Sequence, residues 1–211
     1  MNKKLLMILG STTAIAALSI GGTMALFTDS REVSGDFFTG TLCINAERND
    51  GDPVPGPMFY ITAEQGKTPS GQLGTIPTGV WAPGDEHVRT MTIYNPEECS
   101  SMDAWITHVG ARLSEGFEDQ YEPMAEKLYV VLKTPQDGGP DGVVGEAPLS
   151  DFLAGRVPIA YPDGSKIPVY LTSNRHMKFE VTFDLDAGND YQDKTLVVDF
   201  MVYAEQMPNN P

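Results

Sequence analysis

The chain has 211 residues, with 14 Lys and Arg against 29 Asp and Glu and a formal net charge of −15. That balance opposes phosphate backbones and anionic headgroups and so excludes nucleic-acid binding as a function class, while 41% hydrophobic and 20% charged residues exclude global disorder. With 21 Gly and 16 Pro, which break helices and suit turns, the composition points to one turn-rich, mostly β domain.

In chain order the first element is an export signal. Asn2, Lys3 and Lys4 form a basic start, and residues 5–20 are apolar or small apart from Ser11, Thr12, Thr13 and Ser19. Residues 5–22 would also serve as an uncleaved anchor, being 18 residues long. Gly21 and Gly22 break the helix, however, and Thr23 and Ala25 put small residues where a signal peptidase needs them. Cleavage between Ala25 and Leu26 is therefore expected, leaving a single domain over 26–211. It removes Lys3 and Lys4 and no acid, so the charge of −15 falls by two to −17. No second span-length apolar segment follows, so the mature chain is expected to be extracellular, in a matrix or at the cell surface, without membrane attachment.

Residues 26–38 (LFTDSREVSGDFF) then form an extended segment in which apolar Leu26, Phe27, Val33, Phe37 and Phe38 are spaced by polar residues and Gly35. Such a segment, free at one end after cleavage, is suited to donate a strand to the sheet edge of a second copy. Its alternative is a terminus without a partner, or the molecule's own first strand.

Further strands are expected at 37–46, 57–63, 87–94, 104–113, 127–134, 157–161, 166–172, 177–183 and 196–203. The clearest is Met177, Phe179, Val181 and Phe183 alternating with Lys178, Glu180, Thr182 and Asp184, a half-buried antiparallel strand. Residues 196–203 (LVVDFMVY) are apolar almost throughout, which reads as a central strand covered on both faces. Turn chemistry separates them, as at Pro83-Gly84-Asp85, 137–142 and Pro162-Asp163-Gly164. Short helices are expected at 115–125, broken by Pro123, and at 149–154. The whole reads as a two-sheet antiparallel sandwich, of which a jelly roll is one common form, with a loop-rich insertion over about 114–165.

Cys43 and Cys99 are the only cysteines. Export permits them to pair, and a bridge closing about 56 residues is worth roughly 4 kcal/mol in the chain-entropy model; the alternative is two separately buried thiols. Neither stands in a Cys-x-x-Cys motif, so a structural zinc or redox dithiol is not expected.

Catalytic constellations are lacking. His87, His108 and His176 are far apart, there is no H-E-x-x-H to set two zinc ligands on one helix face, and no G-x-S-x-G elbow. No catalytic residue, resident metal or cofactor is therefore assigned. Weak calcium binding by acidic loops remains open, with Asp50 and Asp52, Asp137 and Asp141, or Asp184, Asp186 and Asp190 as oxygen donors, although none matches a calcium-loop pattern. Trp81, Trp105, Tyr94 and Tyr203 either line a sugar groove or belong to core and rim, and the latter is the commoner use.

The junction residues Gly22-Thr23-Met24-Ala25-Leu26-Phe27-Thr28-Asp29, followed by Phe38-Thr39-Gly40-Thr41-Leu42, resemble the TasA/camelysin family of exported bacterial biofilm-matrix fibre proteins. That family's pattern is roughly GT-aromatic-A-x-F-x-D, then F-x-x-GTL. Ala82-Pro83-Gly84-Asp85 leading to Asn95, and 187–192 leading through Leu196 and Phe200 to Ala204-Glu205-Gln206, resemble it in the same order. The sequence departs from the family at Met24, in Cys43 and Cys99, and in its Asp/Gly-rich middle. The resemblance implies a jelly-roll subunit, cut by a SipW-type signal peptidase and assembled with itself, and with an accessory matrix protein as a further partner, into extracellular fibres. The alternatives are a camelysin-like metallopeptidase and a monomeric surface adhesin.

Overall fold

The computed structural model describes residues 23–27, 42–48, 59–61, 81–98, 100–114, 119–136, 138–191 and 193–207. Among these residues the strands are β1 (Thr23–Phe27), β2 (Leu42–Arg48), β3 (Phe59–Ile61), β4 (Glu86–Tyr94), β5 (Ala104–Leu113), β6 (Leu128–Pro135), β7 (Asp141–Pro148), β8 (Arg156–Pro158), β9 (Ile167–Val169), β10 (Asn174–Phe183) and β11 (Leu196–Gln206). They form two sheets. One has the order β1-β2-β4-β10-β6-β7; the other runs β3-β11-β5-β8, with β9 also on β5, and every strand pair is antiparallel. The expected two-sheet sandwich is present. The jelly-roll connectivity implied by the resemblance is a further statement that these pairs do not make.

Alternation explains the centre of the first sheet. Met177, Phe179 and Val181 of β10 are in register with Met91, Arg89 and His87 of β4, and Phe179, Val181 and Phe183 with Leu132, Val130 and Leu128 of β6. Paired residues share a face, so one row of each strand turns inward and its neighbours Lys178, Glu180 and Thr182 turn out. In the second sheet β11 is central, between β3 and β5, as expected. Cover on both faces holds only at 196–198; from Asp199 onward every second residue is partly exposed, because Asp199, Met201 and Tyr203 lie on the outward row. The inward row supplies Phe200, whose ring centroid is 4.8 Å from Phe179, 5.8 Å from Phe152 and 6.1 Å from Phe59.

Two elements escaped the periodicity. Within the stretch 114–165, read as a loop-rich insertion, β6 falls on the strand expected at 127–134; the stretch also carries β7 and the helix α1 (Leu149–Ala154) and contributes Leu132 and Phe152 to the core. β7 hides in sequence because Gly142, Gly145 and Pro148 lower strand propensity. It forms by pairing with β6, and Gly145 is required there: an added Cβ would lie 2.7 Å from the Ile159 Cγ2 atom. β1 was not expected as a paired strand spanning Ala25. α1 falls where expected, burying Leu149 and Phe152; of the helix expected at 115–125, residues 115–118 lie outside the described residues, and the described end carries a 3-10 turn at Glu122–Lys127 with Pro123 in its first turn.

The sheets are joined at both sides. After β8, Ile159 N–H donates to Thr107 of one sheet at 2.9 Å, and Ala160 N–H to Val144 of the other at 3.0 Å. Opposite, β1 pairs with β2 while its Cα atoms come within 8 Å of β11 in the other sheet. Facing sheets stand about 10 Å apart, so this closer approach places β1 at the seam.

One end is tied by Asn95, which is fully buried. Its side-chain N–H groups donate to the carbonyls of Met102 (2.8 Å) and Val169 (3.0 Å), while its backbone bonds Ser173 and Thr172. Asn95→Ala is expected to lower unfolding free energy by about 2 kcal/mol, since the buried Val169 carbonyl loses its side-chain donor and the half-buried Met102 carbonyl keeps only that of Ser100. Asn95→Asp is expected to cost more, because a carboxylate would face both carbonyl oxygens; urea denaturation midpoints of the two variants test that order.

Candidate functional site

The seam at β1 is the site that the sequence singled out. Ala25 is paired with Ile44, Leu26 with Cys43 and Phe27 with Leu42, so the expected cleavage point lies inside a strand that starts at Thr23. β2 forms because Leu42, Ile44 and Ala46 alternate inward and are buried. Beyond β1, the sheet has no further strand among the described residues. Among the described residues β11 is paired with β3 over Leu196–Val198 and with β5 over Val198–Gln206. β1 thus lies along the ladder edge of β2, with Cα atoms within 8 Å of β11 in the other sheet. Of the donor-segment residues, Leu26 and Phe27 are in β1; Val33, Phe37 and Phe38 lie outside the described residues.

Cys43 takes its place in β2, and Asn45, two residues on, is paired with Tyr94. Cys99 and the Cys43 side chain lie outside the described part, so the expected bridge rests on export and on this neighbourhood in register. Labelling of denatured, unreduced secreted protein is expected to find no free thiol; two would remove the bridge.

The acidic loops are occupied from within. Asp184 accepts from Lys127 Nζ at 3.0 Å and from Asp186 N–H at 2.9 Å, and these two bonds hold its carboxyl below the usual range while Asp184 raises Lys127. Asp163 is held down to about 2 by the Ser165 hydroxyl and N–H, with help from Gln136. Asp141 pairs with Lys178, raising the lysine. Asp50, Asp52 and Asp137 lie outside the described residues. Among the described residues no three His, Cys, Asp or Glu side chains converge on a metal position.

The histidines separate onto three surfaces. His108 is on β5 of the second sheet, paired with Tyr203 and Pro158. His176 shares a 3.0 Å hydrogen bond with the Thr92 hydroxyl on the outward row of the first sheet. His87 turns inward and stacks on Trp81, with 4.2 Å between ring centroids. The aromatic set splits too: Trp81 is core beside Phe59, Tyr94 borders an open cleft, and only Trp105 and Tyr203 share a sheet face. Arg156 covers the Tyr203 ring at 3.9 Å. The cleft, about 580 Å³, is lined by Asn45, Tyr94, Asn95, Glu97, Glu98 and Thr172. A second void of about 10 Å³, between Phe59, Trp81 and Phe200, is no more than a packing gap.

Neither a family model, nor a curated protein, nor a solved structure matches the chain.

Burial lowers the pKa of His87, Arg89 lowers it further, and Asp85 opposes both. The unfolded chain therefore binds a proton more readily than the folded one, so stability rises with pH between the lowered folded value and the ordinary 6.5. Melting temperature is expected to fall as pH drops through 6.5, and His87→Gln to flatten that slope. The acid-side loss tied to Asp163 and Asp184 lies lower, beneath the usual carboxylate value of 3.8, and would persist in the variant.

Proposed function

We propose that this protein is an exported structural subunit that polymerises head to tail into extracellular matrix fibres. The observation that carries the reading is the slot at β2: a short N-terminal strand fills it, and the expected signal cleavage would cut that strand. Losing residues 23–25 would strip Ala46, Asn45 and Ile44 of their register partners. The vacated edge then offers unpaired N–H and C=O groups to the 26–38 segment of a second copy. Such a contact is heterologous and non-closing, so repetition yields an open filament. Ladder hydrogen bonds at about 1 kcal/mol net each and burial of Phe27 and Val33 would offset the repulsion between copies at −17. Salt screens that repulsion and acid neutralises carboxylates, so both favour assembly.

A SipW-type peptidase as processing enzyme and an accessory matrix protein as second partner belong to the same proposal, as does a jelly-roll path for the sandwich. The metallopeptidase alternative needs converging ligands, and His87, His108 and His176 stand on three separate surfaces. Electron microscopy of concentrated protein starting at Leu26 is expected to show filaments that lengthen with salt or mild acid. Protein starting at Gly35 is expected to stay folded and form none. Identical filaments from both would eliminate strand donation by this segment.

A further inference from the structure

We propose that docking of β1 onto β2 hides the Ala25–Leu26 bond, so that signal removal must precede completion of this sheet edge. The inference rests on the export reading above but concerns timing, and it follows from backbone register alone. Ala25 and Leu26 are the third and fourth residues of a five-residue strand, paired with Ile44 and Cys43. Thr23 and Met24 extend the pairing on one side of the bond and Phe27 on the other.

A peptidase binds its substrate as an extended strand and satisfies the substrate's backbone groups with its own. In docked β1 those groups are taken along one edge by β2. Residues of β11 also come within 8 Å of β1, Cα to Cα, closer than the about 10 Å between facing sheets, which narrows the room for an enzyme strand beside β1. In the cut itself, water adds to the Ala25 carbonyl, the C–N bond breaks, and the Leu26 amino group leaves carrying a proton. Each of these events requires access to both faces of a peptide unit that the docked strand holds in the seam.

Two fates follow. A chain cut while β1 is free folds with positions opposite Ile44, Asn45 and Ala46 vacant, ready for a second copy. A chain that docks β1 first fills its own slot and holds its signal segment longer, and so is slowed both in release and in accepting a neighbour. The order of two events, cutting and docking, then sets the share of competent subunits. A short strand paired along one edge opens at the low end of local stabilities, so the protection is a delay of ten- to a hundredfold rather than a complete block.

The test uses the purified full chain in mild detergent and thermolysin, which cuts on the amino side of Leu and Phe and so reports on the bonds before Leu26 and Phe27. Synthetic peptides spanning residues 20–32 give the unpaired reference rate. The full chain is expected to be cut there at least tenfold more slowly than the peptide. Met24→Pro, which removes a backbone N–H from β1, is expected to return the rate to that of a peptide bearing the same change, with the near-ultraviolet tryptophan signal unaltered. A full chain cut as fast as its peptide overturns the proposal, as does full protection in the variant. Asn45→Pro, in β2, is the second variant and is expected to act alike. N-terminal sequencing of secreted protein is a separate readout: a retained Lys3-Lys4 start would overturn the export reading and leave the masking result standing on thermolysin.

Discussion

The sandwich depends on the ring contacts between its sheets, centred on Phe200. Its neighbours come from different parts of the chain: Phe179 from the middle of the first sheet, Phe152 from α1, and Phe59 from the short strand β3. Burying rings of this size is the largest single source of stability available to such a domain, and removing one typically costs about 3–5 kcal/mol. Because β3 is only three residues long and α1 only six, neither could persist without that packing. Both are held in place by side chains delivered into a common core.

The seams of the sandwich follow a different rule. Where the chain leaves β8, two backbone hydrogen bonds to different sheets close the structure, and Gly145 is small because Ile159 passes over it. On the opposite side closure is by a single added strand. A core held by rings can tolerate exchange at such a seam, since the bonds lost and regained are mostly main-chain and carry no sequence of their own. This is the physical reason that a strand from another copy is a plausible occupant of the same slot.

The acidic composition is managed locally rather than by one compensating patch. Lys127, Lys133, Lys166 and Lys178 pair with Asp184, Glu180, Glu205 and Asp141. Each pair is partly exposed and contributes little to stability, but each spends a scarce cation on a nearby carboxylate. The effect bears on function. Asp184, which as sequence looks like an open calcium ligand, already has a lysine and a backbone N–H as its partners. The remaining charge is still strongly negative, so copies of the chain repel one another at low salt.

The sequence by itself determined the elements with a local pattern: β4, β5 and β10 were legible from residues alternating apolar and polar, β11 from a run apolar almost throughout, and α1 from the turn start at Pro148 and Ser150. It also drew attention to the segment around Leu26, where glycines and small residues stand before an apolar stretch. Tertiary structure alone decided β7, where glycines conceal a strand that exists only through β6 and the passage of Ile159. It decided, too, that β11 is covered twice only at 196–198 and that the three histidines and four aromatic residues part company. Finally, it placed the Ala25–Leu26 bond inside a paired strand. Pairing partners lie tens of residues away along the chain, and a local pattern records which face a residue prefers but not which strand arrives beside it.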